Sequence, residues 1–339
     1  NNKGEVLAWS MYDFANQPFT VLVVTFIYGT FFTEVIANNK IDGTQMWSHG
    51  VSITAIIVAL LSPLMGALAD RGGYRKVFMF CFTVITIFAT SILYFIVPNT
   101  PGAVFYSLLF FVIANIGFEM GCVFCNAYLP DISHSKNIGR ISGYGWSLGY
   151  LGGLIALVIA MVFLIEPEVP FFGFGKGEDG AYENIRATNL LVAIWFTIFS
   201  IPTFLFVKDR KPDTKALLKN AKHTVKGFQT TAKEIKEYPQ IIRFLISRLF
   251  YNDGLITIFA LGGVYAVGSL NFTMNEVLIL GIILNVFAAL GSFVFGSYED
   301  KIGTRNVINL SLVILIISTI LAFVAPWIRI SFTSLGLEI

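Results

Sequence analysis

Gly66-Ala-Leu-Ala-Asp70-Arg71-Gly-Gly73-Tyr-Arg75-Lys76 returns, degraded, as Gly296-Ser-Tyr-Glu-Asp300-Lys301-Ile-Gly303-Thr-Arg305. Each copy lies between two long apolar segments, so one inter-helix turn is used twice. Small residues before the turn allow close helix packing, and an aspartate at that place can accept hydrogen bonds from the amino terminus of a neighbouring helix. Arg and Lys hold the loop at an anionic membrane face. A single copy would be read as a local cluster of positive charge; two copies at matching places indicate duplication.

Working outward, the composition sets the solvent. The chain is 55% hydrophobic and 13% charged, with a mean hydropathy of +0.73, far from a soluble domain. A helix needs about 20 apolar residues to cross a bilayer, and about nine such segments are present, near 12–36, 47–68, 77–97, 103–127, 143–165, 187–207, 243–268, 276–296 and 307–327. Their length excludes the short alternating strands of a membrane barrel. The expected fold is all-α and polytopic.

Charge distribution orients the segments. Arg71, Arg75 and Lys76 follow the second, and a connector from Lys208 to Gln240 carries nine basic residues, Lys208, Arg210, Lys211, Lys215, Lys219, Lys222, Lys226, Lys233 and Lys236. The positive-inside rule places both in the cytoplasm with the amino terminus. Pro98 to Gly102 is uncharged, and Glu166 to Arg186 is mainly acidic; these loops are expected outside. Within the connector Leu218, Ala221, Val225, Phe228, Ala232 and Ile235 form a helical apolar stripe opposite the lysines, as in an amphipathic linker lying on the membrane. The chain divides accordingly into 1–207, a six-helix bundle, 208–240, the linker, and 241–339, three helices of a second bundle.

The duplication extends to Tyr12-Asp13 and Tyr251-Asn252-Asp253-Gly254, early in the first helix of each half. Two six-helix units related in parallel are the plan of one class of secondary transporter. The second half supplies three helices, so the chain reads as a fragment lacking about three more on that plan.

Two further blocks are more selective: Trp9-Ser-Met-Tyr12-Asp13-Phe-Ala-Asn16-Gln17-Pro18-Phe19, and Asn126-Ala-Tyr-Leu-Pro130-Asp131 followed by Arg140-Ile-Ser-Gly143-Tyr-Gly145-Trp146-Ser-Leu-Gly149-Tyr150-Leu-Gly152-Gly153. Together with the repeated turn they resemble the major facilitator superfamily, and within it the vacuole-effluxer branch, whose fungal members export amino acids from the vacuole during autophagy. The fungal members carry longer loops, which favours a bacterial relative in the inner membrane; a eukaryotic member would sit in the vacuolar membrane. The resemblance implies a monomeric permease working by alternating access. Its departures are Tyr298-Glu299, where the first turn has Leu68-Ala69, and the absence of helices ten to twelve.

Polar groups inside the membrane carry the mechanism, because each ionised side chain there costs roughly 2.5–3.5 kcal/mol. In the fourth segment Asn115, Glu119, Cys122 and Asn126 fall at i, i+4, i+7 and i+11, on one face with Glu119 near mid-membrane. Glu119 is expected to exchange a proton as access alternates; the plainer reading is a carboxyl that ties two helices together. The first segment places Asp13, Asn16, Gln17 and Thr20 on one face, with Pro18 loosening the backbone ladder. The seventh carries Asn252 and Asp253 near Thr257, with Arg248 as an ionic partner. Asp13 and Asp253 also suit a capping role near the helix ends. The resemblance implies that the first, fourth and seventh helices line the central cavity. Gly145, Gly149 and Gly153 form a small-residue ridge for close packing.

Nothing points to an enzyme or a cofactor. No phosphate-binding loop with Lys-Ser/Thr, His-Glu-x-x-His or Gly-x-Ser-x-Gly occurs, and His49, His134 and His223 read as solvated. Cys81, Cys122 and Cys125 fall in apolar segments, and Cys122-x-x-Cys125 lacks a second pair, so packing is preferred to metal binding. The expected partners are a small-molecule substrate and the bilayer, with no nucleic acid. A peptide or drug exporter and a non-transporting receptor of the same fold remain the alternatives to an amino-acid carrier.

Overall fold

The structure, a computed structural model, describes residues 3–168, 171–208, 237–268, 270 and 274–334. Among these residues there are nine long helices: α1 (Lys3–Ile36), α2 (Lys40–Gly72), α3 (Arg75–Leu93), α4 (Ala103–Asn126), α5 (Ile138–Ile165), α6 (Glu183–Phe206), α7 (Pro239–Gly268), α8 (Met274–Ile302) and α9 (Thr304–Ser334). No strand occurs among the described residues. Among the described residues, windows long and apolar enough to cross a membrane occur in the eight helices other than α7, with mean hydropathies of 1.7 to 2.7; α7 fills the place of the seventh expected segment. The amphipathic stripe of the linker, its lysines beyond Lys208 and His223 lie outside the described residues, as do the side chains of Asp70, Arg71 and Thr257.

Several helices run past the apolar segments that announce them. α2 starts at Lys40 because Asn39 caps it: the Asn39 side chain accepts from the Asp42 amide at 2.9 Å, satisfying one of the orphan donors of the first turn. It ends at Gly73, whose φ of 68° is left-handed, a conformation glycine adopts without a Cβ penalty. The second turn repeats the device at Gly303, φ 86°. α1 begins at Lys3 rather than near residue 12, since Ala8, Trp9 and Ser10 are already buried.

Pro18 changes the winding of α1. Regular α-helix covers Lys3–Pro18, and the following Phe19–Phe26 is π-helical. Proline removes one backbone donor and crowds the carbonyl four residues back, and a wider turn is one way for a helix to absorb both effects.

The first six helices form one bundle in which α1 packs along α5 and α6, and α4 along α2 and α3. Its core is aromatic: Trp9, Tyr12, Phe19, Tyr28, Phe32, Phe111, Phe124 and Phe196 are all under 3% exposed. Away from the basic turns, Trp47 stacks on Phe111 with ring centroids 3.8 Å apart, and Arg186 donates to the Tyr94 carbonyl at 2.6 Å. Large apolar side chains such as Phe88, Phe105, Ile198 and Leu205 point outward and are more than half exposed, as expected where the surrounding solvent is lipid. The bundle meets α8 along α5 in an extensive pairing.

Candidate functional site

α1, α4 and α5 converge on a polar cluster. The Asp13 carboxylate lies over the glycine ridge of α5: a Cβ on Gly145 would fall 2.6 Å from Asp13 Oδ2, and one on Gly149 would lie 3.4 Å from Asp13 Cβ. Further along, a Cβ on Gly152 would meet the Phe14 carbonyl, and one on Gly153 would come within 3.2 Å of Gln17 Cγ. The missing side chains therefore let α1 approach α5 and leave room for Asp13 and Gln17 between them.

On the other side of α1, Asn16 donates to Cys122 Sγ at 3.6 Å. Trp9 donates its indole N–H to the Cys125 carbonyl at 2.8 Å, and Tyr12 shares a buried 2.8 Å hydrogen bond with Thr83 of α3. A Cβ on Gly121 would collide with the Tyr12 hydroxyl. The Asn16–Cys122 contact brings the polar faces of α1 and α4 together. Asn115 is 6% exposed; Glu119, one turn on, is open to solvent-sized space and has neither an ion pair nor a hydrogen bond among the described residues. Asn126, the last residue of α4, is exposed at the helix end.

The α7 candidates are arranged differently. Arg248, Asn252 and Asp253 are all exposed. Thr20 of α1 is half-buried.

The repeated turns sit at one end of the molecule, with the amino terminus of α1. In the first, Arg75 Nη1 donates to Asp131 Oδ2 at 2.6 Å and to the Ala127 carbonyl at 3.2 Å, while Lys76 Nζ donates to the Val207 carbonyl at 2.6 Å. These contacts tie α3 to the ends of α4 and α6. In the second, Asp300 accepts from the amides of Gly139 and Arg140 at 3.0 and 3.2 Å. A carboxylate thus completes the unsatisfied first turn of α5 and complements its dipole. Arg305 is exposed and has no partner among the described residues. Gly66 has open space where a Cβ would go.

The Asp300 contact is part of a close α5–α8 seam. A Cβ on Gly143 would fall 2.5 Å from the Ser292 carbonyl, and one on Gly296 would fall 2.7 Å from the Gly139 carbonyl. Tyr144 stacks on Phe293 at 5.5 Å between centroids. Sequence reading singled out neither Asp131 as the partner of Arg75 nor Gly139, Gly143 and Gly296 as the seam. Asp131 was visible as a lone acid after Pro130 at a helix end, but its partner is 56 residues away.

The three cysteines are free, and no group of three His, Cys, Asp or Glu side chains that could hold a metal ion occurs among the described residues.

Comparison with known proteins agrees with this arrangement. The family described as "Vacuole effluxer Atg22 like" matches residues 35–338. The "Uncharacterized MFS-type transporter YxiO" of Bacillus subtilis is 26% identical over 325 residues, covering 93% of this chain and 72% of the relative. "Autophagy-related protein 22-1" of Aspergillus fumigatus is 22% identical over 396 residues, again 93% of this chain; the chain spans only 60% of that protein. Among solved structures, the proton:xylose symporter XylE bound to 6-bromo-6-deoxy-D-glucose superposes with a TM-score of 0.61 at 12% identity, over 88% of this chain and 69% of XylE. That likeness establishes the fold. On a match that takes in nearly all of its length, the chain belongs to the vacuole effluxer Atg22-like family and has the fold of the major facilitator superfamily.

Proposed function

We propose that the protein is a secondary active transporter that moves a small polar solute across the membrane by alternating access, with amino acids as the first candidate substrate and proton-coupled efflux as the direction. The observation that carries this reading is the contact of Asn16, three residues from Asp13 on α1, with Cys122, three residues from Glu119 on α4. A carboxylate inside a bilayer is costly, and Glu119 has no described protein partner to offset that cost, which suits a group that meets solute or exchanges a proton. The names of the relatives support the same reading: the bacterial protein is called a transporter of this superfamily and the fungal one an autophagy-related protein. The positive-inside rule supports a cytoplasmic location for the amino terminus and both basic turns, and the bacterial relative supports the inner membrane.

The test is counterflow of a mixed radiolabelled amino-acid pool in proteoliposomes of the full-length protein, alongside Glu119→Gln. The parent should exchange label. Glu119→Gln should retain counterflow, because exchange needs no net proton movement, but lose accumulation driven by a pH gradient at least tenfold. Absence of counterflow from folded parent protein would remove amino acids as the substrate class. Unchanged pH-driven accumulation in Glu119→Gln would remove Glu119 as the coupling group.

A further inference from the structure

Beside the α5–α8 seam, and separate from the Asp13–Glu119 cluster, lies a crevice of about 750 Å³ between α1, α5 and α8. It has a polar mouth and an apolar wall. Lys3 and Arg140 supply two positive charges at the basic end, both exposed and neither ion-paired among the described residues, and no acidic side chain lines the space. Two α8 carboxylates stand at the adjoining end of α5: Asp300 accepts from the Gly139 and Arg140 amides, and Glu299 packs against Gly139. Ser10 also lines the crevice; it is 1% exposed and its hydroxyl has no hydrogen-bond partner among the described residues. Deeper in the bilayer direction the wall is Leu7, Leu151 and Phe293, of which the first two are 58% and 40% exposed.

Paired cations above an apolar slot match an amphiphile with a negative headgroup, and basic pockets between membrane helices on the cytoplasmic side favour anionic lipids. The side chains that line it, Lys3, Leu7 and Ser10, fall on a different face from Asn16, which turns toward α4.

We propose that this crevice binds an anionic phospholipid of the leaflet at the basic end, with Lys3 and Arg140 holding its phosphate, and that the bound lipid stabilises the joined α5–α8 arrangement. The second half of the proposal follows from two shared residues. Arg140 gives its amide to Asp300, and Phe293 stacks on Tyr144 across the seam, so an occupant touching both side chains bridges α5 and α8. The inference rests on the transporter reading for its membrane orientation.

The experiment is native mass spectrometry and thermal unfolding of the full-length protein in detergent, titrated with phosphatidylglycerol, phosphatidylcholine or inorganic phosphate. Phosphatidylglycerol should bind and raise the melting temperature, with an apparent affinity at least tenfold above phosphatidylcholine. The double variant Lys3→Gln/Arg140→Gln should lose most of that preference, Arg140→Lys should retain it, and Lys136→Gln, an exposed charge of the same end outside the crevice, should leave it unchanged. The proposal is overturned if Lys136→Gln weakens binding as much as the double variant, since the effect is then general surface charge. It is equally overturned if the double variant binds normally or if inorganic phosphate alone reproduces the stabilisation. Lipid binding is read without transport, so a failed counterflow assay with intact lipid selectivity would sink the proposed substrate and leave the crevice standing.

Discussion

The two copies of the repeated turn keep the same backbone and take different partners. Both break between helices at a left-handed glycine, Gly73 or Gly303. The basic residues of the first copy, Arg75 and Lys76, reach inward to Asp131, Ala127 and Val207 of the same six-helix bundle. In the second copy the acid does the work, since Asp300 crosses to the amino terminus of α5 in the other bundle, while Arg305 is exposed. Both copies therefore keep the left-handed glycine, and their described side chains differ: Arg75 and Lys76 bind within the first bundle, and Asp300 joins α8 to α5.

The largest effect that can break this comparison lies in the seam. Gly143→Leu or Gly296→Leu drives a side chain into facing backbone, which overpacking makes unfavourable by about 1–3 kcal/mol or more, whereas Gly66→Ala in the first copy meets open space and should be silent. Thermal unfolding, together with the yield of an engineered α5–α8 disulfide, should fall for the seam variants alone. Equal damage at Gly66 would mean that both turns are packed equally tightly.

Next in size is the intrabundle pair. Arg75→Gln should cost about 0.5–1 kcal/mol, discounted because Asp131 is half exposed. A double-mutant cycle with Asp131→Asn should return coupling of that order, and a cycle pairing Arg75→Gln with Asp300→Asn should return none.

Smallest is the charge at the helix end. Asp300→Asn keeps an acceptor but loses the interaction with the α5 dipole, about 0.3–1 kcal/mol. It should lower the same disulfide yield without changing the stability of the first bundle, and Arg305→Gln should do neither. A shift in first-bundle stability with Asp300→Asn would show that the second turn also works within its neighbour.

The helices and their turns were legible because a bilayer demands long apolar stretches and because glycine is the residue that supplies a left-handed stop. The polar faces of α1 and α4 were legible for a similar reason, as charged and amide side chains at helical spacing in an apolar background. Their convergence through Asn16 and Cys122 was not, since those residues are 106 positions apart. The glycine ridge announced close packing, yet nothing in its spacing named α1 as the helix received or Asp13 as the side chain lodged there. On α7 the sequence offered Arg248, Asn252 and Asp253 by their helical spacing, and all three are exposed.

The sequence by itself determined the membrane as solvent, the succession of helices, the duplicated turn and the cost of each buried polar group, because these follow from local composition and backbone stereochemistry. Only the tertiary structure decided which helix fills each glycine groove, that Arg75 pairs with Asp131, that Asp300 completes α5, and that Lys3 and Arg140 face one crevice. Those facts depend on which surfaces meet when helices far apart in the chain pack together, and packing is settled by shape across elements rather than by any one stretch of residues.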